Sequence, residues 1–314
     1  MVSDGKAGME SQCLGLAEAM GLTPEIKRVR LRTPWKQLSP AVLRIGNRWA
    51  LAAGSDRFDP PFPDVLIATG RASVAPSLLV RAASPATFRI QIQDPAVRPS
   101  LFDLVVVPRH DDLRGDNVLA ARGALHRVTP AATAAAAARM EARYAHLPRP
   151  RVAVLIGGTN GAYTMTAAAM AALAENLARL AHEYGAGLLV TPSRRTGTDN
   201  ERILEEVLAG LPASIWDGGG ENPYFAFLGL ADAIVVTPDS VNMVCEAAST
   251  GKPVFVADLP GGSRKFDAFH QGLLADGVTR RFAGRLEHWT YPPLDDTPRA
   301  AAEAWRRIAE RNAR

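Results

Sequence analysis

Five short segments combine residue types that could hold or move a charged group, and all but one follow an apolar run. The first is Gly157-Gly158-Thr159-Asn160-Gly161, set between Leu155-Ile156 and a helical pattern. Glycine lets a backbone approach a ligand closely, and the amino end of a helix offers free N–H groups to an anion. The spacing G-G-x-x-G departs from the dinucleotide fingerprint, and no Gly-Lys-Ser/Thr follows as in a P-loop. A tight strand-to-helix turn has the same composition. The second segment, Thr191-Pro192-Ser193-Arg194-Arg195-Thr196-Gly197, sets hydroxyls beside two arginines at a strand end. Open α/β sheets bind ligands there, and guanidinium groups clamp a diphosphate well. The third runs from Thr237 through Asp239, Ser240 and Asn242 to Glu246. Asp239 or Ser240 is a natural helix N-cap. Asn242 and Glu246 lie four apart, on one helical face with that cap. A carboxylate there can accept hydrogen bonds from both hydroxyls of a ribose, and its small apolar neighbours predict partial burial.

The fourth segment, Gly261-Gly262-Ser263-Arg264-Lys265, presents adjacent cations suited to a phosphate or an acceptor group. The fifth is a set in the first half: Asp4, Lys6 and Gly8, then Gln93-Asp94-Pro95, then Pro108-Arg109-His110-Asp111. Asp4, Asp94 and His110 are the candidate general bases of that half. Carboxylates beside an imidazole raise its pKa and suit it to proton transfer. No metal site is expected, because the histidines are far apart and no His-x3-His or carboxylate cluster with ligand spacing occurs. A serine hydrolase is excluded by the absence of a Gly-x-Ser-x-Gly elbow.

These segments need strand ends to position them. Apolar runs predict strands at 26–31, 65–69, 88–93, 104–107 and near 126–128, then at 152–156, 187–191, 215–216, 233–237 and 254–257. Helical patterns lie between them at 12–20, 72–81, 129–144, 164–184, 200–209 and 240–249, with a charged amphipathic helix at 298–314. Strand, small-residue turn and helix repeat in that order, which predicts parallel sheets with right-handed crossovers. The two-proline stretch Leu147-Pro148-Arg149-Pro150 predicts a domain boundary. The expected domains are 1–147 and 148–297, with 298–314 packing back on the first. Only Met1 and Val2 precede the Ser3-Asp4-Gly5 turn, so the strand that should feed it is nearly missing. The natural reading frame is therefore expected to begin upstream.

The 314 residues are 47% hydrophobic and 22% charged, as in a soluble globular chain. No apolar run approaches the ~20 residues of a spanning helix, and no signal-peptide core is present. Cys13 and Cys245 are the only cysteines, which excludes a disulfide framework and points to the cytoplasm. The net charge is +4, and lysine occurs only at positions 6, 27, 36, 252 and 265, so the basic residues are mostly arginine. They are scattered and only 6% of residues are aromatic, which argues against nucleic acid as a partner.

Taken together and in order, Ser3–Gly8 with Gln12, Gln91–Pro95, Pro108–Asp111, Ile156–Gly158, Thr191–Thr196, Thr237–Ala247 and Gly262–Phe266 resemble the mitochondrial fission ELM (elongated mitochondria) family. The resemblance runs over almost the whole chain. It implies a GT-B-like α/β fold, in which two Rossmann-like domains face each other across a cleft. It also implies a glycosyltransferase that moves a sugar from a nucleoside-diphosphate sugar to a hydroxyl acceptor, such as an envelope glycan or a glycolipid. No cofactor or metal is expected beyond the donor itself. The assignment on the donor side is Gly157, Gly158, Thr159, Arg194, Arg195, Thr196, Asp239, Ser240, Asn242 and Glu246. On the phosphate and acceptor side it is Lys6, Ser263, Arg264 and Lys265, with Asp4, Asp94 and His110 as catalytic groups. The expected location is the cytoplasm, including the inner face of the membrane when the acceptor is membrane-linked. Members often carry histidine where this chain has Met9. That favours one rival reading, a non-catalytic scaffold that recruits partners, as the plant relative does at the mitochondrial surface; a second rival within the same fold is a hydrolysing nucleotide-sugar epimerase.

Overall fold

A computed structural model describes residues 1–33, 35 and 50–313; for His110 it describes the backbone alone. The chain divides into two compact units, Met1–Arg127 with Asp295–Arg314, and Val128–Leu294.

The first unit is built on a six-stranded sheet in the order β2-β1-β3-β4-β5-β6. Its strands are β1 (Val2–Ser3), β2 (Lys27–Arg28), β3 (Val65–Thr69), β4 (Phe88–Ile92), β5 (Leu104–Pro108) and β6 (Val118–Ala121). All neighbours run parallel. β1 has two residues, yet it pairs on both sides, Val2 with Lys27 and with Ala68. Helix α1 (Ala7–Ala19) starts inside the Ser3–Gly8 turn and buries Cys13, Leu16 and Ala17 against Ile67 and Ile90. Helix α2 is Val74–Ala83.

No strand forms near 126–128. His126 and Val128 are buried instead, while Arg127 points out to an ion pair with Glu18. A Cβ on Gly15 of α1 would lie 2.2 Å from the His126 carbonyl oxygen, and the backbone N–H of His126 donates to the Thr297 hydroxyl at 3.2 Å. The strand that closes the sheet is Val118–Ala121, an edge strand whose short alanine-rich sequence carries little β signal.

The second unit repeats the plan in the order β12-β11-β10-β7-β8-β9. Its strands are β7 (Arg151–Leu155), β8 (Gly187–Thr191), β9 (Ala213–Ile215), β10 (Ala233–Val236), β11 (Val254–Val256) and β12 (Thr279–Arg281). These too are all parallel. Its helices are α3 (Pro130–Tyr144), α4 (Ala167–Tyr184), α5 (Thr198–Leu208), α6 (Tyr224–Leu230), α7 (Val241–Ala248) and α8 (Arg264–Ala275). Helix α4 shows why the chain folds this way. Thr166 caps it by accepting from the Ala169 N–H, Gly185 ends it at φ 60°, and Met170, Leu173, Ala174, Leu177 and Ala181 form its buried stripe.

Helix α3 was expected to close the first domain, but it groups with the second unit. Gly229 of α6 lies against its backbone, so close that a Cβ would sit 2.4 Å from the Thr133 carbonyl oxygen, and Tyr144 packs edge-on against Phe227. The grouping therefore changes at residues 127–128, ahead of the two-proline stretch. The final helix α9 (Thr297–Asn312) belongs to the first unit, where Ala300, Ala301 and Ala304 join the core under α1.

Candidate functional site

In each sheet the strand order reverses at one point. It lies between β1 and β3 in the first unit and between β7 and β10 in the second. Open α/β sheets bind ligands beyond the carboxyl ends of the strands at such a reversal.

In the second unit the glycine segment after β7 and the Asp239 segment after β10 flank this point. Asp239 is nearly inaccessible, and its carboxylate is saturated by the protein. Oδ2 accepts the Gly158 N–H at 3.0 Å and pairs with Arg195 Nη2 at 2.8 Å, while Oδ1 accepts the Thr237 hydroxyl at 2.7 Å. The same Thr237 oxygen accepts the Gly157 N–H at 2.8 Å. Thr159 N–H donates to the Arg195 carbonyl at 3.2 Å. The N–H groups of Gly157, Gly158 and Thr159 are thus all engaged internally, and the glycine segment does not offer the amide cradle expected of it.

The glycines have another cause. A Cβ on Gly157 would lie 2.2 Å from Asp239 Oδ2, and one on Gly158, at φ 153°, would lie 1.9 Å from the Arg195 carbonyl oxygen. They let three strand ends close on one another. Thr196 serves the same purpose. It is buried, and its hydroxyl donates to the Gly157 carbonyl at 2.7 Å, beside Ser193 Oγ at 2.6 Å.

What remains open to a ligand is the amino end of α7 and the arginines. Ser240 is the N-cap, its Oγ accepting the Met243 N–H at 3.4 Å. The first N–H groups of a helix have no partner within it and favour an anion. Arg195 keeps 39% of its side chain exposed while Asp239 steers one edge of its guanidinium. Arg194 is exposed as well.

One helix turn beyond Asn242, Glu246 is 7% exposed, more deeply buried than its sequence neighbours implied. The Tyr224 hydroxyl, from the first residue of α6, donates to Glu246 Oε2 at 2.7 Å. Burial, then the Glu246 charge, pushes the Tyr224 phenol well above its ordinary pKa, so it stays a donor. The sequence offered no sign of Tyr224. It lies 22 residues before Glu246, in a stretch that gave no helical pattern.

The fourth segment is tied to the first. Tyr163 and Gly261 form an antiparallel bridge, Thr164 N–H donates to the Pro260 carbonyl at 2.9 Å, and Gly262 N–H donates to the Ala162 carbonyl at 2.8 Å. Ser263 caps α8, and Arg264 and Lys265 stand exposed in its first turn.

In the first unit the carboxyl ends of β1, β4 and β5 carry the expected groups along one edge. Asp4 is ion-paired with Lys6, whose ammonium is well exposed. Asp94 Oδ1 accepts the Ala96 N–H at 2.8 Å and so holds a turn in which Gln93 and Ala96 have positive φ. His110 falls in a short 3-10 turn, and its side chain is outside the described residues. The reversal point itself holds Met9. Its sulfur accepts the Thr69 hydroxyl at 3.6 Å and the Gln93 amide at 3.3 Å. Among the described residues no group of three or more His, Cys, Asp or Glu could hold a metal ion, and no helix is long and apolar enough to cross a membrane.

Comparison with known proteins agrees with this architecture. The UDP-GlcNAc 2-epimerase of Methanocaldococcus jannaschii superposes with a TM-score of 0.60 at 9% identity, covering 98% of both chains. The UDP co-structure of S. aureus MnaA gives 0.53 at 12% identity, covering 100% of this chain and 95% of that one. At such identities the likeness shows the fold, a GT-B-like pair of Rossmann-like units. In sequence, the mitochondrial fission protein ELM1 of Arabidopsis thaliana is 28% identical over 389 aligned positions, covering 99% of this chain and 91% of the plant protein. The uncharacterized protein RP120 of Rickettsia prowazekii is 25% identical over 279 positions, covering 76% and 78%. The family model "Mitochondrial fission ELM1" matches residues 7–308, and the chain belongs to that family.

Proposed function

We propose that the second unit binds a nucleoside-diphosphate sugar at its reversal point, and that the chain transfers the sugar to a hydroxyl acceptor, lipid-linked ones included. The observation that carries this reading is the pairing of Glu246 with α7. A buried carboxylate, oriented by Tyr224, lies on α7 itself, six residues along from the Ser240 cap, and that helix end faces the reversal point with Arg195 held beside it. Glu246 takes the ribose hydroxyls. The amino end of α7, with Arg194 and Arg195, takes the diphosphate, and Arg264 and Lys265 add positive charge. In the transfer the bond from the anomeric carbon to the diphosphate oxygen breaks, and a bond from that carbon to the acceptor oxygen forms. The acceptor's proton passes to a base on the first unit, for which Asp4, Asp94 and His110 stand as candidates. Charge developing on the leaving diphosphate is met by dipoles and cations already in place, without a metal ion.

One observation favours the scaffold reading instead. The first unit's reversal point presents a thioether rather than a base, and Asp4 and Asp94 both have partners in the fold. Product analysis separates the readings. A nucleoside-diphosphate sugar incubated with acceptor should yield glycosylated product and free nucleoside diphosphate. Binding without turnover would leave the scaffold, and an epimerised sugar formed without acceptor would mark the epimerase.

A further inference from the structure

His270 lies on α8, outside every segment discussed above, and its ring reaches the turn that starts α7. Its Nε2 is 2.8 Å from the Pro238 carbonyl oxygen. A carbonyl only accepts, so Nε2 must carry the proton, and Nδ1 is left as the bare acceptor. Nδ1 is buried and has no partner among the described residues. The ring is fixed between Phe266, stacked at an interplanar angle of 20°, and Phe269, edge-on at 5.1 Å between centroids.

The turn it touches is held from outside at three of its polar groups. The Asp239 carbonyl accepts the Asn160 amide at 2.9 Å, the Asp239 carboxylate is held by Gly158 and Arg195, and the Pro238 carbonyl is held by His270. The four grips come from three segments. Asn160 and Gly158 come from the loop after β7, Arg195 from the loop after β8, and His270 from α8. Freed of His270, the turn would keep its grips on Asp239 and lose the one on Pro238, where the chain leaves β10.

We propose that His270 is a positioning residue of the donor site, acting through the Nε2–H bond to the Pro238 carbonyl that fixes the start of α7. This rests on the reading of that turn as the diphosphate end of the site. Burial lowers the pKa of the imidazole, opposed by the Pro238 bond and by Asp267 and Asp239, so the ring holds its single proton at neutral pH.

The test has two arms. Two-bond ¹H–¹⁵N correlation spectra of the histidine-labelled chain, with the signal assigned by its loss in His270→Gln, report the tautomer with no ligand present. We expect Nε2–H; a ring found as Nδ1–H overturns the proposal. The second arm titrates UDP, GDP and ADP into the wild type and three variants. Glutamine can place an N–H near the Nε2 position, asparagine fills only the Nδ1 position, and phenylalanine keeps the ring shape alone. We expect about tenfold weaker binding in His270→Asn and His270→Phe, the scale of one hydrogen bond, and recovery in His270→Gln. Equal affinity in all three, or recovery in asparagine alone, overturns the proposal. A wild type that binds none of UDP, GDP and ADP defeats the donor reading itself, and the tautomer arm still decides whether His270 holds the turn.

Discussion

The two reversal points are built by the same topology and filled in opposite ways. In the second unit a buried charge pair, Asp239 with Arg195, draws three strand ends together and leaves a guanidinium half in solvent. In the first, the place between β1 and β3 is filled by the flexible thioether of Met9. One point is rigid and charged, and the other is soft and neutral. The difference teaches that a shared architecture supplies a location for a site, while the side chains at that location decide what it can hold.

The largest expected effect breaks the rigid side. Gly158→Ala forces a Cβ to within 1.9 Å of the Arg195 carbonyl oxygen, backbone against backbone. It should destabilise the protein by about 3 kcal/mol in urea unfolding, the upper end for overpacking. The matching change on the soft side, Gly70→Ala, meets only side chains, the nearest being the Met9 methyl at 3.2 Å, at φ 73°. With ψ 177° this backbone conformation is essentially confined to glycine, so the cost there, about 1–3 kcal/mol, should be backbone strain and not overpacking. Equal costs at the two glycines would remove the contrast.

Next comes Glu246→Gln. Tyr224 can still donate to the amide oxygen, so folding should survive, while nucleoside-diphosphate binding weakens by about 1.5–3 kcal/mol, the range for hydrogen bonds to a charged group. An unchanged affinity in calorimetric titration would take this residue out of the site. On the soft side, Met9→Leu keeps the volume and leaves the Thr69 and Gln93 donors without the sulfur. A loss of about 1 kcal/mol in unfolding free energy is expected, with nucleotide affinity unchanged.

The last effect is a pH slope. Lys252 donates to the last carbonyls of α6, Leu228 at 2.6 Å and Gly229 at 2.8 Å, and burial lowers its pKa to about 8 from 10.5. Between those values the unfolded chain binds the proton more readily than the folded one. The wild type should therefore gain stability as pH rises from about 8 to 10.5, and lose it as pH falls through about 8. Lys252→Met should lack that slope in pH-dependent thermal unfolding.

The alternation of apolar runs with small-residue turns was enough to read two parallel sheets, because buried parallel strands are near-continuous in Val, Ile and Leu. The elements that went unread are those whose stability comes from tertiary contact. β12 is an edge strand reading Thr-Arg-Arg, whose Arg280 covers Trp289 and whose Arg281 pairs with Asp258. Helix α6 packs on α3 through Gly229, a poor helix residue whose missing side chain makes the contact possible. The Gly157, Asp239 and Arg195 segments were legible as a group, since all lie at strand ends. Their division of labour was not. Nothing in the spacing tells an aspartate that binds a ligand from one that holds the loop and the arginine beside it.

The central claim is that the second unit's reversal point is the donor site. Its most direct test is amide hydrogen exchange of the chain with and without UDP, GDP and ADP at saturating concentration. We expect slowed exchange over 240–246 and around Arg194 and Arg195 with at least one of them, and no change at residues 4–9 or at Thr69 and Gly70. No protection with any nucleotide, or protection confined to the first unit, would contradict it.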